Sequence, residues 1–254
     1  MLTVRGLPTY VETSGAGRPL LYMHGAAEWV GYSSELVLRL DRTHRVIQPE
    51  RRGHGRTADA PGPLTYDEMI ADTTALIEQL RLDRLDMVGF SDGAIIALEI
   101  ARTRPDLAGQ VVAIGPNLSV SGLTDECIEG LEAMTPETWP QEFARMHRAL
   151  SPDGPEHWPV FVQKVIDMLL REPEIPIQQL AAIRAPVLVI GADHDLIRLE
   201  HFVEIHRAIP GSELCIIPGA SHELTVEAPE LVAAIVERFL GQAAATLESH
   251  RPIT

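Results

Sequence analysis

Cysteine, basic residues and long apolar runs are all scarce in this 254-residue sequence, and each scarcity removes a class of protein. Two cysteines, Cys127 and Cys215, stand far apart with no CxxC and no Cys/His spacing, which excludes a disulfide framework and a zinc module. Twenty-one Lys and Arg face 36 Asp and Glu, for a net charge of −15. A chain this acidic repels phosphate backbones, so no nucleic-acid partner is expected. No apolar stretch approaches the roughly 18 residues of a membrane span, so no membrane partner is expected either. The start, Met1-Leu-Thr-Val-Arg-Gly6, lacks a basic segment followed by an apolar one, and a reducing, cytoplasmic setting is the expectation. No internal repeat or low-complexity tract is visible. His201 and His206, five apart, fall off any common helix face, so no metal pair is expected. Gly15-Ala-Gly17 lacks the GxxxxGK[ST] spacing and precedes a strand, which makes it a hairpin turn and not a phosphate loop.

What is present is ordinary globular material, 45% hydrophobic and 22% charged, at a length that permits one or two domains. Short apolar runs closed by Gly or Pro read as strands buried on both faces, near 19–23, 45–48, 85–89, 111–114, 187–190 and 214–217. Amphipathic patterns between them predict helices over about 32–40, 65–81, 92–104, 200–209 and 229–241. This alternation predicts an α/β fold, a mostly parallel sheet flanked by helices. Segments 2–5 and 9–13 read as a hairpin at the sheet edge, and Gln242–Thr254 as a loosely ordered tail. From 116 to 183 there are helical patterns without a convincing strand. An insertion there, after the sixth strand, would form a helical cap over the strand ends, where open α/β sheets bind ligands; a peripheral helical decoration is the alternative. Trp139, Trp158, Met134, Met146 and Met168 in this segment either line an apolar pocket or pack the insertion's own core, the second being preferred.

Gly89-Phe90-Ser91-Asp92-Gly93 matches G-x-S-x-G between an apolar strand and a helix, the context that gives the pattern meaning. A strand turning sharply into a helix strains the central residue, relieves crowding with the two glycines and exposes the serine hydroxyl. The helix start adds free N–H groups and a positive dipole end. A serine needs a base, and among ten histidines His222 stands out in Pro218-Gly-Ala-Ser-His222, just after the last predicted strand. His194 is a weaker competitor. The third member is expected after the strand that ends in Ala192-Asp193-His194-Asp195, and Asp195 is preferred to Asp193 because its run leads straight into the next helix. Glu28 and Trp29 are placed to reach substrate by position alone.

The combination of His24-Gly25 after a strand, Arg52-Gly53-His54-Gly55, the elbow at Ser91 and the Asp195 and His222 loops resembles the α/β-hydrolase fold superfamily over about residues 2–241. The resemblance implies an α/β-hydrolase core of residues 1–115 and 184–254 with a helical cap of 116–183. It implies a Ser91-Asp195-His222 triad and an oxyanion hole of the Ala26 and Asp92 amides, with a structural role for His24. The Ser91-Asp92-Gly93 elbow and Gly115-Pro116-Asn117 resemble the biphenyl hydrolase-like branch. There the aspartate holds the amino group of amino-acid esters, so Asp92 either faces the pocket and binds a cation or merely bonds nearby backbone. Asn117 and Trp158 join the expected substrate contacts. The function implied is cofactor-independent hydrolysis of a small ester, lactone or related acyl substrate through an acyl-enzyme, by a monomer or homodimer. Alternatives are a C–C bond hydrolase, perhydrolase or lyase on the same fold, or a non-catalytic protein that binds a small ligand.

Overall fold

The computed structural model describes residues 1–249, with side chains through Gly241. Its centre is a seven-stranded sheet in the order β3-β5-β4-β6-β7-β8-β9, formed by β3 (Val11–Ser14), β4 (Arg18–Met23), β5 (His44–Pro49), β6 (Leu85–Phe90), β7 (Ala108–Ile114), β8 (Val187–His194) and β9 (Glu213–Ser221). All pairings are parallel except β3 with β5 at the edge. Every residue of β6 and β7 is buried, which is why these segments read as continuous apolar runs and not as alternating ones.

Side chains of the central strands alternate between two cores. Leu21, Met23, Met87, Val111 and Val189 face one cluster, shared with α2 (Tyr66–Leu80), α3 (Asp92–Thr103) and α7 (Leu199–Ala208). Leu20, Tyr22, Val88, Phe90 and Val112 face the other, closed by α1 (Ser34–Leu40) and α9 (Pro229–Ser249). Each fully buried Leu, Ile or Phe contributes roughly 1.5–3 kcal/mol to such a core. Thr65 caps α2, its hydroxyl accepting from Glu68 N–H at 3.3 Å.

Two expectations need correction. The N-terminal hairpin is a separate two-stranded sheet of β1 (Leu2–Val4) and β2 (Leu7–Thr9), turned by Arg5 and Gly6 at positive φ. The chain leaves it at Tyr10, whose N–H donates to Thr57 Oγ1 at 2.9 Å, and only β3 joins the main sheet. The last helix also runs through Ser249, where a loose tail was expected from Gln242. The run Ala243-Ala-Ala-Thr-Leu-Glu248 has strong helix propensity and nothing in it stops the helix begun at Pro229. Residues 250–254 of that tail lie outside the described residues.

Between β7 and β8 the chain forms α4 (Asp125–Ala133), α5 (Gln141–Leu150) and α6 (Trp158–Leu169), with short 3-10 turns before α4, between α5 and α6, and after α6. A short α8 (Leu224–Glu227) follows β9. From β4 the chain moves first to β5 on one side and then to β6 on the other, so strand order reverses at β4/β6. Ligands of open α/β sheets settle in the crevice outside the carboxyl ends at such a reversal. Here those ends deliver His24 and Ser91. No helix among the described residues is long and apolar enough to cross a membrane.

Candidate active site

Ser91 lies between the end of β6 and the start of α3 with φ +52° and ψ −117°, a backbone conformation that few side chains adopt and that costs about 1–3 kcal/mol. The flanking glycines are steric requirements. A Cβ on Gly89 would stand 2.1 Å from Gly93 O, and one on Gly93 would stand 2.2 Å from Met23 O. The Ser91 hydroxyl lies 3.0 Å from His222 Nε2, and His222 Nδ1 lies 2.7 Å from Asp195 Oδ1. Asp195 is itself fixed by the N–H groups of Ala192 at 3.3 Å and Ile197 at 3.2 Å. Asp193 turns elsewhere, accepting from Gly219 N–H at 2.7 Å, and His194 is exposed. Gly115 leaves room for the imidazole, since a Cβ there would meet His222 Cε1 at 2.9 Å. Phe90 packs on the ring at 5.3 Å between centroids. Burial works to lower the pKa of His222, but the charge and hydrogen bond of Asp195 outweigh it and hold the imidazole above its ordinary value.

Opposite the elbow, the loop after β4 brings Ala26 to the wall above Ser91. Among the described residues the Ala26 and Asp92 N–H groups have no protein acceptor, whereas Gly25 N–H donates to Glu28 Oε2 at 2.6 Å. Behind this loop the buried Arg51 guanidinium donates to His24 O at 2.5 Å and Gly25 O at 2.8 Å, and lies 3.8 Å from Asp92 Oδ2. Tyr66 O–H donates to Asp92 Oδ1 at 2.6 Å. Burial raises the Asp92 carboxyl above its usual range, and Arg51 and Tyr66 pull it back.

A cavity of about 250 Å³ opens over Ser91. Glu28, Asn117, His222 and Glu223 supply polar groups to its lining, while Leu131, Met134, Trp139 and Phe143 of the insertion supply apolar walls. Glu28 and Asn117 thus stand where the sequence suggested. Three expectations do not hold. Asp92 is 1% exposed and directs its carboxyl into the Arg51–Tyr66 cluster, because a charge beside an apolar wall is held where donors already wait. Trp29 stands behind the wall, edge-on to Tyr32 and Phe143. Trp158 is packed inside the insertion, its indole N–H donating to Pro136 O at 3.1 Å, in keeping with the preferred reading of that cluster; Met134 and Trp139 go against it. Sequence reasoning missed Glu223 and Phe143. Adjacency to His222 was the only available signal for the first, and there was none for the second.

A family model described as the alpha/beta hydrolase family matches residues 15–235. Among curated proteins, RutD of Rhizobium rhizogenes, assigned as a carbamate hydrolase, is 27% identical over 256 residues, covering 91% of this chain and 97% of its own. The sn-1-specific diacylglycerol lipase ABHD11 of Danio rerio is 24% identical, covering 89% of this chain and 79% of its own. Among solved structures, the enol-lactonase of Burkholderia xenovorans LB400 superposes with a TM-score of 0.75 at 20% identity, over 94% of this chain and 99% of that one.

Proposed function

The chain belongs to the alpha/beta hydrolase family, and from that premise we propose that it is a serine hydrolase of small ester, lactone or related acyl compounds, working through an acyl-enzyme without a cofactor. The observation that carries the reading is the continuous hydrogen-bonded chain from Ser91 through His222 to Asp195 at the base of a cavity. Ser91 Oγ attacks the substrate carbonyl while His222 Nε2 takes its proton. Asp195 holds the imidazole in the tautomer whose Nε2 can accept that proton and stabilises the imidazolium that results. The Ala26 and Asp92 amides receive the oxyanion, each such donor contributing about 3 kcal/mol to the transition state. His222 then returns the proton to the leaving group. Water, activated by the same imidazole, attacks the acyl-enzyme, and the acid departs as Ser91 regains its hydrogen. The likeness to RutD extends the acyl class to carbamates.

Intact-mass labelling with a fluorophosphonate tests this directly. A single adduct is expected on the wild type and none on Ser91→Ala or His222→Ala. A folded wild type that takes no adduct would overturn the reading.

A further inference from the structure

Glu28 is a wall of the cavity and yet only 3% exposed. Its Oε2 accepts from Gly25 N–H at 2.6 Å. Among the described residues Oε1 has no donor, and it lies on the Ser91 side of the loop. A Cβ built on Gly25 would stand 2.9 Å from Glu28 Oε1 and 3.2 Å from Ser91 Cβ, so the two side chains flank one point. An oxygen without a donor among the described residues, on a side chain only 3% exposed, therefore stands near the nucleophile in the wall of the cavity.

The surroundings decide which form of the carboxyl occupies that place. Glu223 lines the same cavity, its Oε2 accepting from Tyr32 O–H at 2.8 Å. Asp92 is close enough to raise the Glu28 carboxyl further, and His222 lines the same cavity. Among the described residues the cation that acts on Glu28 is Arg51, which is engaged with the carbonyls of His24 and Gly25. Among the described residues no Lys or Arg lines the cavity. A carboxylate with one N–H donor, other carboxyls close by and little water is costly to ionise. Burial accordingly pushes the Glu28 carboxyl well above the usual range; the Gly25 N–H opposes, and Glu223 adds to the rise.

Building on the serine hydrolase reading, we propose that Glu28 is a specificity-determining residue whose carboxyl, carrying its proton on Oε1, donates a hydrogen bond to an uncharged acceptor beside the scissile carbonyl. The substrate class is then narrower than small acyl compounds in general. It is neutral acyl compounds that bear a second oxygen acceptor, such as a keto, ether or carbamoyl oxygen, next to the reacting group. An acyl chain ending in a carboxylate is disfavoured, because the cavity would strip its water and return no cation.

The test compares matched p-nitrophenyl esters whose acyl chains carry a methylene, an ether oxygen or a terminal carboxylate, with wild type, Glu28→Gln and Glu28→Leu. Gln keeps an acceptor for Gly25 N–H and a donor toward substrate; Leu keeps neither. The readout is the ratio of kcat/KM for the ether ester to that for the alkyl ester, which a general loosening of the loop would not change. The wild-type ratio is expected to be about ten, the discrimination of one hydrogen bond. It should persist in Glu28→Gln and fall to about one in Glu28→Leu, with the carboxylate ester at least about tenfold below the ether ester. Raising the pH should lower the ratio in wild type, as Glu28 ionises, and leave Glu28→Gln flat; Glu223, Asp92, Arg51 and His222 remain in both and cancel. A ratio unchanged in Glu28→Leu, or a carboxylate ester hydrolysed as well as the ether ester, overturns the proposal. Fluorophosphonate labelling of the same proteins separates the two readings. Intact labelling with a flat ratio removes only the role of Glu28, and no labelling of folded wild type removes the serine hydrolase itself.

Discussion

Asp193 and Asp195 leave the same strand two residues apart, and their hydrogen bonds give them different work. Asp195 accepts from the imidazole, while Asp193 ties Gly219 to the end of β8. Asp195→Asn is expected to lower kcat by about 10⁴-fold, since an amide there stabilises neither the required tautomer nor the imidazolium. Asp193→Asn should remain within a few-fold of wild type. The pH profile gives the sign independently. In the proposed mechanism His222 acts only when neutral, and Asp195 holds its pKa above that of an ordinary imidazole, so kcat/KM should rise with pH through a midpoint above the ordinary value. In Asp195→Asn that midpoint should move down, because burial is then opposed only by the smaller effects of Glu223 and Asp92. An unmoved midpoint would mean that another group sets the limb. Ser91, Asp195 and His222 were legible because each sits at the end of an apolar run, in a local pattern that the backbone geometry enforces. The direction of Asp92 was not legible. It depends on Arg51 and Tyr66, which come from elsewhere in the chain.

Side chains of α6 and of the turn before it tie the insertion to the loop after β5. Phe161 lies edge-on to His54 at 5.0 Å and stacks on His147 at 5.1 Å. Its ring occupies the space above Gly53, where a Cβ would come within 2.6 Å of it. Asp59, in the loop after β5, accepts from Lys164 Nζ at 2.6 Å and bonds His157 Nε2 at 2.8 Å. Both links join the insertion to the same stretch of the chain, and the buried aromatic contributes far more than the partly exposed ion pair. Phe161→Ala should therefore destabilise the protein by about 3–5 kcal/mol, read from the urea midpoint. A loss below about 1 kcal/mol would show that the insertion is held chiefly by other contacts. The helices of this segment were readable from periodicity, but the cavity walls were not. Phe143 faces the cavity while Trp158 faces inward, and helical spacing alone does not distinguish a face turned to a cavity from one turned to a core.

For the whole molecule, three histidines form a column from the loop after β4 into the insertion. His24 lies 5.0 Å from His54, and His147 reaches His54 through Phe161. All three are buried, and burial lowers the pKa of each, that of His147 to about 4. The mostly parallel sheet followed from the alternation of strands and helices, but this column joins residues far apart in sequence that only the closed fold brings together. Its consequence is a coupling between pH and stability. Below the ordinary imidazole pKa of about 6.5 the unfolded chain binds protons that the native histidines refuse, so their contribution to stability declines as pH falls toward about 4. The raised carboxyls of Glu28 and Asp92 act in the opposite sense, since the native state keeps their protons at pH values where the unfolded chain has released them. A comparison of total curves would mix these effects, and a single substitution isolates one. His147→Phe keeps a ring stacked on Phe161 and removes the titrating nitrogen. Relative to wild type, its unfolding free energy should lose less between pH 6.5 and about 4 and run parallel above pH 7, measured by urea titration at each pH. Parallel curves through the acid range would show that His147 titrates alike in the folded and unfolded chains, and the column would then carry no part of the acid sensitivity through that residue.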